Sequence, residues 1–181
     1  MIGWLIVACE VAFWIFIIAG LLVRYRLRKE QLGNFLLLCT PIIDLILIVI
    51  TVIDLQNGAQ ASFTHALAAI YVGVTVAYGK GMIKWADQRY LYMFAKGPKP
   101  MGKPKHGKER AIYERIGWYK HLLAYAIGSV LLLGMVYLVG STEQTQALQD
   151  ILRYWPLILA IDFLVSFSYT LWPKPEKEKA I

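Results

Sequence analysis

The sequence predicts an all-α polytopic membrane protein: a bundle of five transmembrane helices with its N-terminus outside and its C-terminus in the cytoplasm. Three observations predict it. Of the 181 residues, 58% are hydrophobic and only 17% are charged, more apolar side chain than a soluble domain of this size can bury. The apolar residues fall in five unbroken runs of about 20, each long enough as a helix to cross a ~30 Å hydrocarbon core. Lastly, 18 of the 19 Lys and Arg residues fall on one side of these runs, which places that side in the cytoplasm. Unbroken runs exclude a transmembrane β-barrel, whose strands alternate. A net charge of +7 would suit nucleic acid, but the basic residues flank apolar segments as topology signals do, so no nucleic-acid partner is expected.

The first span covers 2–23. No basic segment precedes it and no small-residue cleavage site follows it. Arg24, Arg26, Arg28 and Lys29 come directly after, so it reads as a retained helix and not a removed signal peptide. The second span, 34–53, carries Pro41, which lacks a backbone donor and frees a carbonyl one turn earlier. Cys9 and Cys39 fall at depths differing by roughly 10 Å, too far apart for a disulfide. They read as small apolar core residues.

The third span covers 61–78. Beyond it, Lys80 to Phe94 can continue the helix past the bilayer, with Ile83, Ala86, Tyr90 and Met93 on one face. Residues 95–108 (AKGPKPMGKPKHGK) form a flexible basic cytoplasmic linker. It reads either as a solvated topology determinant or as a contact for anionic lipid headgroups. Arg110 and Glu114, spaced i, i+4, support a short lead-in helix. The fourth span, 118–139, carries Ala124 and Gly128, a small-residue strip for close helix packing. The fifth covers 151–171. Trp4, Trp118, Tyr119, Trp155 and Trp172 fall where interfacial anchors belong. The chain is a single transmembrane domain without an internal repeat, which leaves an inverted-repeat transporter unsupported. Its charge asymmetry argues against dual topology, so any homodimer is expected to be parallel.

The informative side chains are acids. Counted along their spans, Glu10 lies about 12 Å below the outer boundary, Asp162 about 15 Å below it, and Asp44 about 15 Å above the inner one. Three helices therefore bring a carboxyl group to the middle of the bilayer. Such groups are costly in hydrocarbon and should face the bundle interior. Asp44 shares a stripe with Thr40 and Thr51; Asp162 aligns with Ser166 and Tyr169; Tyr71 reaches a similar depth on the third span, with His65 about two turns outward. No Lys or Arg lies at that depth, so converging acids cannot all be ionised without a cation. Glu10, Asp44, Asp162, Tyr71, His65 and Ser166 are thus the candidate ligand or proton site. The acids either act as protonated interhelical glue, or hold a proton, a metal ion or a cationic substrate, or do not converge.

The histidines, His65, His106 and His121, are too dispersed to share a haem, and no HExxH, paired-cysteine, GxSxG or Walker motif occurs. No cofactor is expected, no metal is assigned, and no catalytic residue is named. Acid–base chemistry on a lipid through Glu10, Asp162 and His65 stays open only with a lateral opening.

Two stretches, PIIDLILIVITVIDLQNG (41–58) and HALAAIYVGVTVAYGKGMIKWADQRY (65–90), together with the opening WLIVACEVAFW (4–14), resemble the YmcC-type inner-membrane proteins of bacilli over most of the chain. The resemblance implies a multi-pass protein of the bacterial cytoplasmic membrane and no activity. Three functions therefore compete. The first is a midplane acidic site that binds or moves a proton, metal ion or organic cation. The second is a non-catalytic regulatory, assembly or immunity partner. The third is an intramembrane lipid-acting enzyme.

Overall fold

The five apolar runs fold as five α-helices: α1 (Ile2–Tyr25), α2 (Glu30–Gln56), α3 (Phe63–Phe94), α4 (Gly107–Val139) and α5 (Gln146–Leu171). All five are long and apolar enough to cross a membrane, and no strand occurs among the described residues. The computed structural model describes residues 2–94, 96–100, 102–104 and 107–172. His106, Lys105 and the tail lysines Lys174, Lys177 and Lys179 lie outside the described residues, as do parts of the 95–108 linker.

The helices form an antiparallel series in which α1 packs on α2, α2 on α3, α3 on α4, and α4 on α5. At one end, the turns after α2 and α4 are tied together: Ala61 N–H donates to Gln144 O at 2.8 Å, and Gln56 Nε2 to Leu138 O at 2.8 Å. The other end holds the α1–α2 and α3–α4 connections with most of the cations and is called the basic end below.

Small residues set the crossings. Gly73 of α3 lies so close to α4 that an added Cβ would overlap the Ala124 carbonyl oxygen. Gly128 accepts the Trp155 ring, whose Cη2 would lie 2.6 Å from a Cβ there. Gly20 and Gly33 do the same for α1 against α2. Without a hydrophobic force between helices in lipid, such close backbone approach is how a bundle gains cohesion. The core is correspondingly narrow, with Leu55, Ala66, Ala69, Leu132 and Leu148 fully buried. Large apolar side chains such as Ile42, Val49, Val130 and Leu164 stand outward, as expected of surfaces that face lipid.

The helices run past the apolar spans. The third continues without a break to Phe94, and the lead-in before the fourth is simply its first turns. The Arg110–Glu114 pair within it closes at 2.5 Å. Trp155 departs from expectation: it is 8% exposed and belongs to the core, because Gly128 leaves a notch that the indole fills. Helix α2 continues through Pro41. The carbonyl left without a donor is that of Leu37, and the Thr40 hydroxyl donates to it at 2.8 Å.

Candidate functional site

Helices α1 and α3 both lean on α2 and leave a groove between them, floored by α2. Its cavity is about 200 Å³, lined by Glu10, Phe13 and Trp14 of α1, Asp44 and Leu47 of α2, and Thr64, Leu67, Ala68 and Tyr71 of α3. Phe13 and Tyr71 bridge the groove as parallel rings, with centroids 5.7 Å apart and planes 9° apart. Trp14 meets the edge of Phe13 at 5.7 Å.

Asp44 forms the polar part of the floor. It is 2% exposed, and its Oδ2 has no hydrogen-bond partner among the described residues. Burying a carboxyl group without such a partner is expensive, so the site either holds the group protonated or receives a cation. Thr40 and Thr51 are buried with it on α2, the stripe that marks this face as interior. Glu10 stands at the groove's exposed wall. No group of three or more His, Cys, Asp and Glu side chains is placed to share a metal ion among the described residues.

Asp162 and Ser166 lie elsewhere. His121 Nδ1 of α4 meets Asp162 Oδ2 at 2.9 Å, the Ser166 hydroxyl donates to Asp162 Oδ1 at 3.4 Å, and Trp155 Nε1 donates to His121 Nε2 at 3.2 Å. An indole N–H can only donate. His121 Nε2 therefore accepts, the imidazole proton sits on Nδ1, and it points at the carboxylate. The separation from Asp44 follows from where α5 begins. Its first residue is Gln146, before the apolar run at Ile151, so Asp162 sits about 24 Å along its helix, against about 12 Å for Glu10.

His65 occupies the first turn of α3. The Ser62 backbone N–H donates to its Nδ1 at 3.0 Å, so Nε2 carries the proton. His65 does not line the cavity. Of the six candidate residues, the structure brings Glu10, Asp44 and Tyr71 to one cavity, pairs Asp162 with Ser166 at the α4–α5 interface, and holds His65 near the end of α3.

The basic end contains a cluster that sequence reasoning missed. Arg24, read as a stop signal, is 8% exposed. Its Nε donates to Asp87 Oδ1 at 2.8 Å and its Nη2 to Oδ2 at 2.5 Å, while Nη1 reaches Asn34 Oδ1. The Tyr25 hydroxyl adds a bond to Asp87 at 2.9 Å, and Tyr90 donates to the Tyr25 carbonyl at 2.8 Å. This clasp joins α1, α2 and α3 at the basic end. The available signal was a lone Asp87 among the cations of the α3 continuation.

The chain is 47% identical over 180 residues to a protein of Bacillus subtilis (strain 168) described as the uncharacterised membrane protein YmcC, an alignment covering 99% of this chain and 96% of that protein. No protein-family model matches the chain, and no solved structure matches it.

Proposed function

The chain belongs to the YmcC family of membrane proteins, and from its own geometry we propose that the α1–α2–α3 groove is a cation site within the bilayer, with Asp44 as its principal ligand. The site binds or moves a proton, a metal ion or an organic cation. Asp44 supports this reading: a buried carboxyl group, unpartnered at Oδ2, facing a cavity that also touches Glu10. A carboxyl group retained only as packing glue would be expected to spend its oxygens on neighbouring hydroxyls. Thr40, one turn away on the same helix, gives its hydroxyl to Leu37 O instead, and the buried Thr51 hydroxyl makes no bond to Asp44 either.

Asp162 has a different role in this reading. With His121 and Ser166 around it, it is a structural tie between α4 and α5. The orientation we propose is that of the charge count, with the basic end cytoplasmic and the Thr64 end of the groove toward the outside.

Purified protein in sealed vesicles tests the proposal. Imposed gradients of protons, sodium, magnesium, manganese and an alkylammonium ion are followed with internal dyes or tracer uptake. Wild type is expected to bind or pass at least one of these saturably, and Asp44→Asn to abolish the signal. Identical traces for wild type, Asp44→Asn and empty vesicles would overturn the proposal.

A further inference from the structure

The aromatic lining narrows the class of cation. The buried Asp44, whose Oδ2 has no hydrogen-bond partner among the described residues, lines the cavity and brings it a carboxyl group. Apart from Glu10 and the Thr64 hydroxyl at its margin, the remaining wall is the ring pair Phe13–Tyr71, the Trp14 indole, and the aliphatic Leu47, Leu67 and Ala68. A hard metal ion asks for six or more oxygen donors in this kind of site, and this wall does not provide them. An ammonium ion bearing alkyl groups asks for what is present: one carboxylate for its charge, ring faces for its polarised methyl and methylene groups, and apolar contact for the rest. The cavity, at about 200 Å³, is smaller than the ~300–1,000 Å³ of drug-sized sites, so the occupant is small.

We infer that the groove between α1 and α3 binds a small organic ammonium ion, its charge against Asp44 and its alkyl groups against Phe13, Trp14 and Tyr71. The inference rests on the cation reading above and specifies its ligand. Glu10, at the exposed wall, supplies a second negative charge along the way in. Across the groove α1 and α3 meet through the stacked rings of Phe13 and Tyr71.

The test is equilibrium binding to the purified full chain, using choline and tetraethylammonium as probes and the neutral carbon isostere of choline, dimethylbutanol, as the control for charge. Calorimetry and tryptophan quenching read the binding, with Trp14→Phe assigning the optical signal. Saturable binding of the ammonium probes is expected, at least about tenfold tighter than the neutral isostere. Asp44→Asn should abolish it, Tyr71→Leu should weaken it about tenfold, and Tyr71→Phe, which keeps the ring face, should retain it. Thermal unfolding of each variant separates lost binding from lost fold. If sodium, magnesium or protons bind through Asp44 and no ammonium probe competes, this inference falls while the cation site stands. If nothing binds and Asp44→Asn changes nothing, both fall.

Discussion

Trp155 donates its indole N–H to His121 Nε2 at 3.2 Å, and that single bond decides which nitrogen of His121 carries the proton toward Asp162. The relay Trp155–His121–Asp162–Ser166 crosses from α5 to α4 and back to α5. Trp155→Phe removes the donor and also withdraws the Cη2–Cζ3 edge that fills the Gly128 notch. The expected loss of stability exceeds about 1 kcal/mol, the ordinary net value of one hydrogen bond, because the emptied notch adds the cost of a cavity. A double-mutant cycle with Asp162→Asn should give a coupling of at least about 0.5 kcal/mol, because the two side chains act through one imidazole. Strict additivity would show that the relay is only a set of contacts.

The Arg24–Asp87 pair is bidentate and shared by three helices. Asp87→Asn leaves Arg24, which is 8% exposed, with its charge uncompensated. Breaking such a pair from one side is expected to cost about 3–5 kcal/mol where it is fully buried and less here, since Asp87 is 31% exposed. Thermal unfolding in detergent checks this. Arg24→Gln combined with Asp87→Asn should recover part of the loss, because neither variant then leaves a buried charge alone.

Glycine substitutions offer a matched comparison on one helix bundle. Gly73→Ala drives a methyl group into the α4 backbone at Ala124 and is expected to part α3 from α4 and lower the yield of folded protein sharply. Gly134→Ala, where nothing lies within 4 Å of the new Cβ, is expected to be neutral or to gain about 0.5–1 kcal/mol from lost chain entropy. Yield and monodispersity on size exclusion distinguish them.

Thr40 and Pro41 form a compensating pair. Thr40→Val should cost about 1 kcal/mol in the native chain, because the Leu37 carbonyl loses its donor. In a Pro41→Ala background the same substitution should cost close to nothing, since the restored backbone N–H of residue 41 takes over that carbonyl. Equal costs in both backgrounds would contradict the assignment.

Much of this was legible in the sequence. Five spans follow from apolar runs of bilayer length, and the Thr40–Asp44–Thr51 stripe marks the interior face of α2 before any packing is known. The Ala124–Gly128 strip likewise announces a close crossing. What was not legible depends on registry between helices. The polar stretch from Gln146 to Asp150 hides five helical residues, so Asp162 slides toward the basic end and finds His121 instead of Asp44. Trp155 looks like an interfacial anchor until Gly128 is placed opposite it. Arg24 looks like a stop signal because its acid, Asp87, lies on a helix far along the chain. The grouping of Glu10 with Asp44 was expected from their matching depths; the close α1–α2 approach at Gly20 and Gly33 was not, because no periodicity within one helix reveals it.

The central claim is that Asp44 holds a cation whereas Asp162 holds the bundle together, and thermal unfolding across a cation panel separates the two roles most directly. Wild type, Asp44→Asn and Asp162→Asn would be unfolded in the same detergent with and without each cation. A ligand that binds the native state raises the midpoint by mass action. The expected result is a cation-dependent rise in wild type and in Asp162→Asn, none in Asp44→Asn, and a lower cation-free midpoint for Asp162→Asn alone. A rise that survives Asp44→Asn, or one that disappears only with Asp162→Asn, would contradict the account.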